Sequence, residues 1–259
     1  MKRGKAQVTI FVVIAIAIVL IAGIVFYIKS SAKKELTKDY FIQNNIEPSI
    51  NNIQDFVIDC LEENSKVSLE KIGVQGGYYN KPEKFYDLDW AFIPYYYYKG
   101  EFLMPSTEKI EQELSQSIDN SLTSCVEDIQ FKNFQLAFNT PETNSKILKS
   151  KVIVTTTFPI SIENNGKTTQ FELKRHPITL NSSLYDILEI ASYITESHKE
   201  DPNYICINCL AEFSKEKNVY VDFMAFEEDS SLVMIIENVT SSEPYIFQFL
   251  NKYNVNVTQ

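Results

Sequence analysis

Two thiols three positions apart, at Cys206 and Cys209, are the residues of this 259-residue chain whose spacing most directly suggests chemistry. Three uses of such a pair are known. A zinc site needs four ligands, and the nearest other candidate, His198, stands alone with no second cysteine pair. A thiol–disulfide exchange centre calls for a strand–helix–strand setting that the flanking pattern does not show. The third use, a local structural disulfide or two partly buried thiols, is the reading the pattern favours.

Cys60 and Cys125 each fall near the end of an amphipathic helix, in line with its apolar stripe. Two helices packed by those faces would bring the sulfurs together. A bridge there would close a loop of about 66 residues and contribute up to roughly 4 kcal/mol. The other reading is two buried free thiols that pack as small hydrophobes. Four cysteines in two pairs, with none left over, suit an oxidising exterior.

Other residue types lead to no reaction. His176 precedes Pro177 in strand-like sequence and His198 ends a helix, so neither joins a nucleophilic set with Ser, Cys or Asp. The 34 acidic residues offer no spacing that selects a paired-carboxylate mechanism. Gly73, Gly76 and Gly77 invite a phosphate-loop reading, but no Lys-Ser/Thr pair follows and no strand precedes them; a helix stop is expected instead. We assign no catalytic residue, no metal ligand and no cofactor, and expect the chain not to be an enzyme.

Tyr95, Tyr96, Tyr97 and Tyr98 stand in a row within a strand-like run. Alternation would send two to each side, one pair to the core and one half-exposed. The exposed pair would make a stacking surface for sugars or a partner protein, although aromatics are also ordinary strand residues. Asn181, Asn238 and Asn256 head Asn-X-Ser/Thr triplets and become glycosylation acceptors if the body lies outside the cell. Asn181 also suits a helix cap.

The elements that must position these residues follow from periodicity. Ile50, Ile53, Val57 and Cys60 repeat at helical spacing, giving a helix to about Ile72. A hairpin over 91–102 turns at Lys99-Gly100, and Ser106 caps a helix whose stripe runs Ile110, Leu114, Ile118, Leu122, Cys125. Strands are expected at 134–138, 151–163 and 168–180, the last two joined at Asn164-Asn165-Gly166, with Pro159 marking an edge strand or a bulge. A helix over about 184–194, a short helix over 204–213 and strands at 219–226, 232–237 and 245–250 complete the chain.

The first residues differ from all of this. Val8 to Ile28 is a 21-residue run without a charge. As a helix it would cover roughly 32 Å, against about 30 Å of bilayer hydrocarbon. Residues 1–38 carry +6, which leaves −16 of the net −10 on residues 39–259. That acidic body argues against nucleic acid as a partner, because binding it needs clustered Lys and Arg. The basic collar around the apolar run suits lipid headgroups.

The junction Lys5-Ala6-Gln7-Val8, basic residues and a small residue before Gln and a long apolar run, resembles the class III leader of archaeal type IV pilin-like proteins. The resemblance implies cleavage between Ala6 and Gln7 and a helical filament stem. Phe11 stands where many such proteins carry a Glu used in assembly, so a minor subunit or a simple anchor fits better than a major pilin. A second likeness rests on Asp59-Cys60-Leu61, the 73–79 glycine segment, Ile93 to Tyr98, Phe158-Pro159-Ile160 and Pro244 to Phe249. That set resembles a family of membrane-anchored proteins from genome-reduced archaea, which implies location and architecture but no activity.

The sequence therefore predicts an α+β chain: a long N-terminal transmembrane helix, then amphipathic helices and a mainly antiparallel β-sheet domain with inserted helices. Its parts are a basic leader (1–6), membrane helix and stem (7–47), a helical and hairpin segment (48–125) and a β-rich segment (126–259), the last two packed as one ectodomain. The expected role is a single-pass, extracytoplasmic structural or interaction protein at the cell membrane. Lipid contacts residues 8–28, and other envelope or filament subunits, itself included, are partners. An anchored glycan- or peptide-binding module is the alternative, and an envelope thiol–disulfide enzyme a third reading.

Overall fold

The computed structural model describes residues 50–127, 135–164, 166–173, 177–200, 206–227, 229–237 and 244–253. They belong to one compact unit, Ile50–Gln259. In chain order its elements are α1 (Ile50–Val74), β1 (Phe85–Asp87), β2 (Phe92–Tyr98), β3 (Glu101–Phe102), α2 (Thr107–Glu127), β4 (Gln135–Phe138), β5 (Glu142–Leu148), β6 (Lys151–Thr157), β7 (Pro159–Asn164), β8 (Lys167–Glu172), β9 (Ile178–Asn181), α3 (Leu184–Glu200), α4 (Ile207–Lys217), β10 (Val219–Glu227), β11 (Ser230–Glu237) and β12 (Tyr245–Lys252).

Two parts of the expected fold class are corrected. Among the described residues no helix is long and apolar enough to cross a membrane. At 25 residues α1 has the length, but Asp55, Asp59, Glu62, Glu63, Lys66, Glu70 and Lys71 lie along it, and charge at such density is not tolerated in hydrocarbon. The apolar run 8–28 lies outside the described residues, as do the leader and stem. Nor do the described residues form one mainly antiparallel sheet. The strands form three sheets, ordered β1-β2-β12-β11-β10 with β3 on β2, β4-β7-β8, and β5-β6-β9. The largest is mixed, because β12 runs parallel to β2 with Leu250 opposite Tyr95.

One division between the small sheets falls at Phe158. The run 151–163 reads as one strand, yet Phe158 is fully buried and belongs to neither strand. The chain leaves β6 there and enters β7, the middle strand of another sheet, at Pro159. Proline at a strand's first residue removes no interior ladder bond. The β7–β8 hairpin turns between Asn164 and Lys167, which stand opposite each other, with Gly166 at φ 75°, a positive angle that such a tight turn demands.

Helices α1 and α2 pack side by side, α1 against β12 of the large sheet and α2 along β5. Ile53, Val57, Leu61, Leu69 and Ile72 of α1 meet Ile110, Leu114, Ile118 and Leu122 of α2 in a core that also takes Tyr96, Phe247 and Phe249 from the sheet. Small residues let the helices approach: Ser117 Oγ donates to Ser68 Oγ at 3.0 Å, both buried. Helix α2 also satisfies the open edge of β5. Glu111 accepts from Ile147 N (2.9 Å) and Lys146 Nζ (2.7 Å), and Ser115 Oγ accepts from Ser145 N (2.9 Å). A covered edge cannot recruit another strand.

Candidate functional site

The structure brings the cysteines together in two disulfides of different kinds. Cys60 on α1 is bonded to Cys125 on α2, Cα to Cα 6.2 Å, across 65 positions of sequence. Cys206 is bonded to Cys209, Cα to Cα 5.3 Å, within the opening turn of α4. There Cys206 is the N-cap, its Sγ accepting from Cys209 N at 3.2 Å. Ile207 beside it is 61% exposed. No cysteine is free. Among the described residues no cluster of three His, Cys, Asp or Glu side chains forms that could hold a metal ion. His176 and the side chain of His198 lie outside the described residues.

The four tyrosines do not form a stacking surface. Tyr95, Tyr96 and Tyr97 are buried and Tyr98 is half-buried. Alternation fails to expose a pair because β2 lies inside its sheet, with apolar side chains on both faces. Tyr96 joins the core beneath α1 and α2 and stacks on Phe249 with ring centres 4.3 Å apart, while Tyr95 joins Ile93, Leu232 and Leu250 on the other side. The buried Tyr96 hydroxyl donates to Gly76 O at 2.9 Å. That bond fixes the glycine segment as the end of α1. Gly77 N donates to Ile72 O, and Gly76 sits at φ 53° where an added Cβ would fall 2.5 Å from Pro94.

Of the sequons, Asn181 is exposed at the end of β9, and Asn238 and Asn256 lie outside the described residues. The turn into α3 is held by Ser182, whose Oγ accepts from Leu184 N, so Asn181 is not needed as a cap. Ala6 and Gln7 lie outside the described residues.

What the end of α1 does position is a cleft of about 330 Å³. Lys71 and Gln75 from the last turns of α1 form one wall, Tyr79, Asn80 and Lys81 the rim, and Asp89, Trp90, Ala91 and Phe92 the opposite side. The rim is pinned from below. Glu113 of α2, nearly fully buried, accepts from the backbone N–H of Tyr79 and of Asn80 (both 2.9 Å) and from Asn80 Nδ2 (3.1 Å). Burial alone would raise the Glu113 pKa, but Lys109 at 2.7 Å and these backbone donors hold it below the usual carboxylate value. The far wall is a tight turn between β1 and β2. Leu88 N donates to Ala91 O, Trp90 N to Leu88 O and Asp89 N to Asp87 Oδ1, and Asp89 sits at φ 66°.

The groups gathered here include an exposed indole, ammonium groups and side-chain amides. Trp90, the only tryptophan of the chain, is 55% exposed. The Lys71 ammonium lies 4.6 Å from the centre of the Tyr79 ring, and burial pulls its pKa below that of an ordinary lysine. It meets no carboxylate among the described residues. Lys81 is taken by Asp87 at 2.6 Å. Gln75 is buried and its Oε1 has no hydrogen-bond partner among the described residues. Buried amide oxygens are seldom left so.

None of these residues is singled out by sequence reasoning. One signal was present: the lone Trp90 follows Asp87-Leu88-Asp89, a polar turn where a large aromatic has no core to join. Comparison with family models, with curated proteins and with solved structures finds no match for the chain.

Proposed function

We propose that this chain is a non-catalytic structural and interaction protein of the cell envelope. It works outside the cytoplasm, is held to lipid by residues 8–28, and meets other envelope or filament subunits. The observation that carries this reading is the pairing of all four cysteines, one pair across 65 positions. Disulfides of that kind persist in oxidising compartments and are rare where glutathione and thioredoxin keep thiols reduced. The acidic body and the basic, apolar start of the chain support the same reading. Intact cells test it: external protease should remove the acidic body, and maleimide should label the cysteines without lysis once a membrane-impermeant reductant is added. Protection from both reagents until lysis would overturn it. The leader is tested by mass spectrometry of the native chain, where a start at Gln7 is expected. Recovery of intact Met1 removes the pilin-like branch.

A second reading, thiol–disulfide exchange, has one observation in its favour. Cys206 caps a helix and Cys209 is exposed, and a helix N-terminus favours a thiolate. If a mild dithiol leaves this pair oxidised while reducing an exposed model disulfide, that reading fails.

A further inference from the structure

We propose that the cleft between the end of α1 and the β1–β2 turn binds an acidic sugar, a pyranose bearing a carboxylate, within a glycan chain. Trp90 would stack on one face of the ring and Lys71 would meet the carboxylate.

Three features lead there. The first is an exposed indole on a rigid turn. A flat aromatic surface held by its backbone loses little entropy when a ring with several C–H bonds on one face lies against it, and the face of the indole carries the partial negative charge those C–H groups meet. The second is the Lys71 ammonium, without a carboxylate partner among the described residues of an acidic chain. Lys81 across the cleft is held by Asp87, so Lys71 is the lysine of this lining that has no acid bonded to it among the described residues. Lys71 is exposed and lies over the Tyr79 ring, where an anion entering the cleft can reach its ammonium. The third is unspent hydrogen-bonding capacity. Asn80, exposed at the rim, spends its Nδ2 on Glu113 and Gln116, which leaves its Oδ1 as an acceptor. A sugar hydroxyl supplies the donor.

A peptide ending in an aromatic residue and a free carboxylate would also offer a ring and an anion. The cleft favours the sugar because Gln75, Asn80, Lys81 and Asp89 surround the indole with polar groups. An apolar side chain would have to strip these of water without replacing their hydrogen bonds. A volume near 330 Å³ is at the small end for a ligand pocket, suited to one ring of a chain that continues into solvent. This inference draws on the extracytoplasmic reading only for where a glycan would be met. Cell-surface accessibility and sugar binding can therefore fail independently.

Trp90 makes the test direct, since the full chain has one indole and its fluorescence reports on this cleft alone. The purified full chain is titrated with trigalacturonate, with maltotriose as the neutral counterpart, with acetate as a carboxylate alone, and with a tripeptide ending in phenylalanine. Trigalacturonate should give a saturable spectral change, weakened by added salt, and bind at least about tenfold more tightly than maltotriose. Lys71→Met should remove that preference while leaving maltotriose unchanged. Trp90→Ala should abolish heat of binding in calorimetry with an unaltered far-UV circular dichroism spectrum. The proposal is overturned by an unchanged spectrum with trigalacturonate, by an equal response to acetate, by saturation with the tripeptide instead, or by a Lys71→Met chain that keeps its preference for the acid.

Discussion

Cys60–Cys125 joins two helices whose facing side chains are buried, in a region where the core, the covered edge of β5 and the rim of the Trp90 cleft all depend on how α1 and α2 sit. Cys206–Cys209 bridges a single turn with an exposed isoleucine between its sulfurs. The bond is the same and the consequences are not. The first restrains a large part of the unfolded chain and fixes a relation between distant elements. The second restrains four residues and fixes only the start of a helix. A disulfide's contribution thus lies in what it removes from the unfolded ensemble and in what the structure has built on its geometry.

Replacing Cys60 and Cys125 together by alanine should give the largest effect. The unfolded chain regains a loop of about 65 residues, which costs about 4 kcal/mol of stability, read as a lower urea midpoint. A loss under about 1 kcal/mol would mean that packing alone holds the helices together and would erase the contrast.

Next comes Glu113→Gln. Glutamine can keep its one oxygen on the N–H groups of Tyr79 and Asn80, which share a single carboxylate oxygen, but it turns its amide N–H toward Lys109 and loses that ion pair and the charge. Hydrogen bonds to a charged group put the cost at about 2 kcal/mol at neutral pH. Because the folded-state pKa of Glu113 lies below its unfolded value, its contribution is complete above the ordinary carboxylate range and is lost as pH falls through the folded value. Denaturation of the two chains at pH 7 and at pH 3 should show the difference shrinking with acid. A difference independent of pH would place the loss in packing and not in the charge.

Tyr96→Phe should cost less, about 1 kcal/mol, since only the hydroxyl donated to Gly76 O is removed and the ring stays on Phe249. Its second consequence is a softer turn at Gly76 and Gly77, visible as faster amide exchange at Gly77 and Tyr78. Exchange confined to other segments would argue against Tyr96 as the support of the glycine turn.

The same contrast explains what the sequence could reveal. Both helices around the first disulfide are legible because Ile53, Val57, Cys60 and Ile110, Leu114, Ile118 repeat with the period of the structure they form. The turns at Lys99-Gly100 and at Gly166 are legible because their residues satisfy a backbone demand that is local. The sheets are not. Whether 151–163 stays in one sheet depends on the burial of Phe158 against residues far away in sequence, and β5 and the short β1 have no strong alternation. The parallel contact of β12 with β2 joins residues about 150 positions apart, which no window can see. Four tyrosines in a row read as a half-exposed strand because neither covering face of β2 is nearby in sequence. The Trp90 cleft was invisible for the same reason: Lys71 and Gln75 on one wall and Trp90 on the other are ordinary alone and gain meaning only once Glu113 draws the intervening loop down.

Replacing Cys206 and Cys209 together by alanine should cost least, no more than about 1 kcal/mol, the scale of a lost helix cap. The rest of α4 has its own holds. Leu210 is buried, Asn218 at φ 54° closes the far end through its N–H to Lys215 O and Ser214 O, and Lys217 Nζ lies 2.7 Å from Glu189 and 3.0 Å from Asp186 of α3. Glu189 first and then Asp186 raise the Lys217 pKa above the ordinary lysine value. That clasp is complete through neutral pH and is lost only as pH rises through the raised value. The double variant should therefore keep the wild-type urea midpoint within that small margin, while amides from Ile207 to Leu210 exchange faster and those from Ser214 onward do not. If protection falls along the whole of α4, the exposed bridge holds more than one turn, and the two disulfides differ in degree but not in kind.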